Sequence, residues 1–208
     1  MAKKKTQTAL INVVLDKSGS MGTITDATIS GFNEFLHDQQ ADGALFSLTM
    51  FDTRFQLVHN AEPVKDVPDL DRHTYMPSGN TALYDAIGAS IAAVKSLKAQ
   101  PERVVFVILT DGQENSSREY TQRQIFDAIT EQQAAGWQFI FLGSDQDAYA
   151  SGASMGVSRG TTSTFTSSVT GTQTAYRTVS PVVSAYVTGA SSTATLSEED
   201  KKKIEKAK

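Results

Sequence analysis

The stretch Val104-Val105-Phe106-Val107-Ile108-Leu109 is the most apolar run in the chain, and it limits the possible folds more than any other feature. Four of its six residues are β-branched, which favours extended backbone. A strand apolar at every position, rather than at alternate ones, needs cover on both faces. That is the setting of a central strand in a parallel sheet. The run closes at Thr110-Asp111-Gly112. Leu10-Ile11-Asn12-Val13-Val14-Leu15 has the same character and also stops at an aspartate, Asp16.

Helical spacing fills the intervals. Ile29, Phe32, Phe35 and Leu36 mark one face of a helix over 26–38, and Leu83, Ile87, Ile91, Val94 and Leu97 one face of a helix over 82–98. Thr121 and Gln124 have capping-box spacing at the start of a third helix that Gly136 would end. Strands are expected over 44–51, 55–58 and 137–142, the first two forming an edge hairpin across Asp52-Thr53-Arg54. A short helix over 145–154, an edge strand over 161–165 and a helical stretch over 172–186 follow. Pro181 predicts a kink or two pieces in the last of these. Such alternation specifies an α/β fold, Rossmann-like and doubly wound. Its mostly parallel sheet has one antiparallel edge strand and helices on both faces. Ligands of such sheets bind beyond the carboxyl ends of the strands, where the strand order reverses. Asp16 and Asp111 both stand at strand carboxyl ends.

The expected organisation is a basic leader over 1–8, one domain over 9–189 and a polar, charged tail over 190–208. Ser197–Lys208 contains one large apolar residue, Ile204, so the tail is expected to be disordered or a fraying helix. Residues 152–156 spell Gly-x-Ser-x-Gly, the pattern of a hydrolase nucleophile elbow, but around Ser154 they read as helix rather than strand. His37, His59 and His73 all precede that serine, whereas the hydrolase order places the histidine after it.

The net charge of −4 argues against a nucleic-acid surface. With no cysteine, disulfides and thiolate metal sites are excluded. No run approaches about 18 apolar residues, so no transmembrane helix is expected. The run Ala9–Leu15 is short and interrupted by Asn12, unlike a signal peptide, and the expected location is cytoplasmic.

Three polar segments carry the chemistry. Asp16-Lys17-Ser18-Gly19-Ser20 follows the first strand, Gly79-Asn80-Thr81 precedes a helix, and Thr110-Asp111-Gly112 closes the apolar run. Asp16, Ser18, Ser20, Thr81 and Asp111 offer oxygen only, a set that suits a hard cation such as Mg²⁺, with Mn²⁺ or Ca²⁺ as substitutes. Two carboxylates supply a charge of at most −2, which leaves such a cation Lewis-acidic towards an incoming carboxylate.

Asp-x-Ser-Gly-Ser, Gly-x-Thr before a helix and Thr-Asp-Gly after an apolar strand, in that order, resemble the metal-ion-dependent adhesion site of the von Willebrand factor A family. The resemblance covers Leu10–Leu142 best. It implies that Ser18, Ser20 and Thr81 contact a divalent cation directly, while Asp16 and Asp111 act largely through water. It further implies a non-enzymatic module that grips a protein partner presenting Asp or Glu; the charge and the apolar runs above add the expectation of no nucleic-acid or membrane partner. Two alternatives stand beside it: an Mg²⁺-dependent hydrolase of phosphatase type, and an assembly protein that uses the metal only for stability. In the first, Ser18 occupies the place where a second aspartate would act as acid/base.

Overall fold

The computed structural model describes residues 9–144 and 147–208. The expected basic leader, and the first two residues of the helix expected from 145, lie outside the described residues. β1 (Ala9–Asp16), β2 (Leu45–Phe51), β3 (Phe55–Pro63), β4 (Arg103–Thr110), β5 (Gln138–Ser144) and β6 (Thr162–Phe165) form one sheet in the order β3-β2-β1-β4-β5-β6. Only β3 runs antiparallel, at the edge beside β2. The sheet is therefore the doubly wound, mostly parallel one that the apolar runs require.

Every residue of β1 is buried, as are all of β4 after Arg103. Ile11, Val13 and Leu15 face one layer of the core, which includes α1 (Thr25–Gln40) and α5 (Val169–Val187). Leu10 and Val14 face the other, under α2 (Leu83–Lys95), α3 (Gln122–Ala134) and α4 (Ala148–Ser154). The two layers alternate along the strand because successive side chains point to opposite faces. α3 starts on the Thr121–Gln124 capping box, and Gly136 after its end takes φ +96°.

Several expectations are corrected. β3 extends to Pro63 rather than 58; its outer side is exposed, so no apolar alternation marks its length, and bulges interrupt its pairing with β2. α5 is one helix despite Pro181, which lies on the exposed side of the element, away from buried Val179 and Val183. Met21, in the polar segment after β1, is fully buried on the inner side of the 3-10 turn Gly19–Ile24. The 190–208 segment is ordered: α6 (Glu198–Lys206) begins on a Ser197–Asp200 capping box and packs against α5 and β6. Ala194, Leu196 and Ile204 are all buried in the α1–α5 layer. Those three side chains are scattered in sequence, so their joint burial has no periodic signature to read.

The sheet winds outward from β1 in both directions, to β2 on one side and β4 on the other. The carboxyl ends of β1 and β4 therefore flank the reversal, with Asp16 ending one and Asp111 following the other.

Candidate metal centre

The floor of the site is the Asp16 carboxylate, which is fully buried. Its Oδ1 accepts the Ser18 N–H at 2.6 Å and its Oδ2 the Thr110 hydroxyl at 2.5 Å. The buried Tyr75 hydroxyl donates to the Asp16 carbonyl at 2.6 Å and pins the strand end. Burial pushes the Asp16 pKa up to about 6. The hydrogen bonds from Thr110 and Ser18 oppose that rise, and the nearby Asp111 charge adds to it.

From this floor a line of oxygens climbs to the surface. Ser18 Oγ lies 3.2 Å from Ser20 Oγ, and the exposed Ser20 hydroxyl donates to Asp111 Oδ1 at 2.5 Å. The first loop is braced from the side by the second: the Gly19 N–H donates to the Gly79 carbonyl at 3.0 Å, and the Ser78 N–H to the Lys17 carbonyl at 2.8 Å. Lys17 itself pairs with Asp52 at the end of β2. Gly79 sits at φ +70°, and a Cβ there would meet Thr53 Oγ1 at 2.6 Å, so glycine is required on both counts.

Thr81 is buried at the foot of α2. A Cβ on Gly112 would fall 2.8 Å from Thr81 Oγ1, which brings the threonine hydroxyl against the backbone next to Asp111. The structure thus links Asp16, Ser18, Ser20 and Asp111 through hydrogen bonds and sets Thr81 beside them.

α2 has no local side-chain N-cap. Its first amides are taken up by the loop after β4. Asn115 Oδ1 accepts the Thr81 N–H at 2.9 Å, Glu114 Oε2 accepts the Tyr84 N–H at 3.0 Å, and Ser117 Oγ accepts the Asp85 N–H at 3.1 Å. Asp85 returns the contact. Its carboxylate accepts the N–H groups of Arg118, Glu119 and Tyr120 at 2.8, 2.9 and 2.9 Å. Sequence places Asp85 early in a helix, where an acidic group suits the dipole, and does not foretell these partners. It also passed over Glu114 and Asn115, whose only signal is a polar Glu-Asn-Ser-Ser run, typical of loops that bond to backbone.

Does this donor set fit a divalent cation? In octahedral coordination with Mg–O near 2.1 Å, neighbouring ligand oxygens stand about 3.0 Å apart. The Ser18–Ser20 separation of 3.2 Å is close to such an edge. Among the described residues no three His, Cys, Asp or Glu side chains converge as a ready cage. A cation here would depend on hydroxyls and on Asp16 and Asp111, and would remain under-neutralised.

Ser154 closes α4 and donates back to the Ser151 carbonyl at 2.8 Å. It is a helical serine, without the strand-to-helix turn that an elbow needs.

The fold is that of a von Willebrand factor A domain. Among solved structures, the PilB minor pilin from Streptococcus sanguinis superposes with a TM-score of 0.68 at 13% identity, over 92% of this chain and 64% of the pilin. The vWF domain of the type V pili tip protein Mfa5 from Porphyromonas gingivalis gives 0.66 at 9% identity, over 86% of this chain and 96% of that domain. Proximal thread matrix protein 1 from the mussel byssus, solved with a zinc-occupied MIDAS motif, gives 0.58 at 17% identity, over 88% of this chain and 46% of its own. The chain spans under two thirds of the pilin and about half of the byssus protein. No protein-family model and no curated protein sequence matches the chain. No helix of the described residues is long and apolar enough to cross a membrane.

Proposed function

We propose that this protein is a cation-dependent protein-binding module, whose site of Asp16, Ser18, Ser20, Thr81 and Asp111 holds Mg²⁺ and receives a carboxylate from a protein partner. The observation that carries the reading is the hydrogen-bonded line Asp16–Ser18–Ser20–Asp111 across the sheet's reversal point. Along that line hydroxyls and carboxylates of two loops run from the buried Asp16 to the exposed Ser20. When bound, the cation supplies a Lewis-acidic point charge that a carboxylate can complete.

The protein's own groups do the rest. Asp16 anchors the floor through Ser18 and Thr110, Ser18 and Ser20 present hydroxyls along one edge, and Asp111 stands at the rim. Met76 is 62% exposed in the segment leading to Gly79 and is an apolar side chain open to a partner. We assign binding to this site and no reaction. A cysteine-free chain suits a reducing compartment, and we take the cytoplasm as its working place.

Affinity capture from the host lysate tests this, with the full chain as bait in 5 mM Mg²⁺ or in chelator. Partners retained in Mg²⁺ and lost both in chelator and with Asp111→Ala are the expected result. The same partners in every condition would remove the reading.

A further inference from the structure

The start of α2 and the loop after β4 are interlocked by reciprocal hydrogen bonds. Three amides of the helix start, those of Thr81, Tyr84 and Asp85, are capped by side chains of Asn115, Glu114 and Ser117. Three amides of the opposite loop, those of Arg118, Glu119 and Tyr120, are capped by Asp85. Glu114 also ties its own loop by accepting from the Ser116 and Ser117 amides at 2.9 and 2.7 Å and from the Ser117 hydroxyl at 2.7 Å. The Asn115 amide donates to the Thr81 carbonyl at 3.0 Å, so Thr81 is held at both its N–H and its C=O by one residue.

The clamp thus grips, from both sides, the two segments that carry Thr81 and Asp111. Between them lies the close approach of Thr81 Oγ1 to Gly112, which admits no Cβ. Charged acceptors on backbone amides are among the stronger hydrogen bonds. A threonine fixed this way cannot drift outward to lengthen a metal–oxygen distance without breaking several of them.

We propose that Asp85, Glu114 and Asn115 are positioning residues that lock Thr81 against the Asp111–Gly112 segment and so make the cation site selective for a small cation over a large one. The inference rests on the cation-binding reading above and adds the origin of its selectivity. Mg²⁺ requires near-ideal octahedral geometry at short distance, whereas Ca²⁺ accepts longer and irregular shells. A rigid clamp favours the first, and a loosened clamp handicaps it more than the second.

The test measures Mg²⁺ and Ca²⁺ dissociation constants by calorimetry for the full chain and for Asp85→Ala, Glu114→Gln and Asn115→Ala. Each variant is checked for folding by circular dichroism. Asn115 is an exposed side chain, so its variant keeps the measurement available if Asp85→Ala does not fold. Partners behind metal ligands typically control affinity about 10–100-fold, so Mg²⁺ affinity is expected to fall about tenfold in a folded clamp variant and Ca²⁺ affinity by clearly less. A folded variant with a lower melting temperature but an unchanged Mg²⁺/Ca²⁺ ratio overturns the proposal and leaves the cation site standing. A wild-type chain that binds neither ion overturns the underlying reading and this one with it.

Discussion

At the scale of single residues, Asp16 sets the terms of the site. A fully buried carboxylate between two hydrogen-bond donors is tolerated, but its pKa of about 6 shows that burial outweighs the donors. In the metal-free protein the folded state holds this proton more tightly than the unfolded chain, whose value is 3.8. Its stabilising contribution is therefore present at low pH and lost as pH rises from 3.8 through about 6. A bound cation and the proton compete for the same group. The rise in melting temperature caused by Mg²⁺ should shrink as pH falls from 7.5 to 5.5, and thermal scans at both values check it. An equal rise at both would show that Asp16 is not coupled to the cation. Its neighbours were legible in sequence as a pattern, because Asp-x-Ser-x-Ser and Thr-Asp-Gly are contiguous. Glu114 and Asn115 were not, because their partners lie across the loop pair, at Tyr84 and Thr81.

At the scale of elements, α6 shows where local reasoning fails. Its composition is that of a solvated charged segment, and Ile204 is its one large apolar side chain. The structure buries Ile204 fully, with Leu196 and Ala194, against α5 and the end of the sheet. Ile204→Ala should then cost about 2–5 kcal/mol in chemical denaturation, as other buried truncations do. A loss below about 0.5 kcal/mol, the scale of a surface substitution, would mean that the helix frays free of the core. The strands present the opposite case. β4 (Arg103–Thr110) spans the apolar run Val104–Leu109 plus one polar residue at each end, because a strand covered on both faces is apolar almost throughout and its run marks it in sequence.

At the scale of the whole molecule, the site belongs to no single element. Asp16 comes from the end of β1, Thr81 from the approach to α2 and Asp111 from the exit of β4, and the order β2-β1-β4 makes their ends adjacent. A ligand bound only by the folded arrangement stabilises it through linkage. Mg²⁺ at about a hundred times its dissociation constant adds about 2.7 kcal/mol, which for a chain of this size raises the melting temperature by roughly 5–10 °C. Asp111→Ala should abolish the increment while leaving the metal-free transition cooperative, and differential scanning fluorimetry of both proteins decides it.

The amino-acid sequence alone determined the layered α/β architecture, the helix start at Thr121 and the polar segments that close β1 and β4, because periodicity, caps and contiguous loop motifs are local properties of the chain. The tertiary structure alone decided that α6 belongs to the core, that Met21 points inward and that α2 is capped from a distant loop. Those outcomes depend on which surfaces meet after the sheet has formed, and one-dimensional spacing carries no record of that meeting.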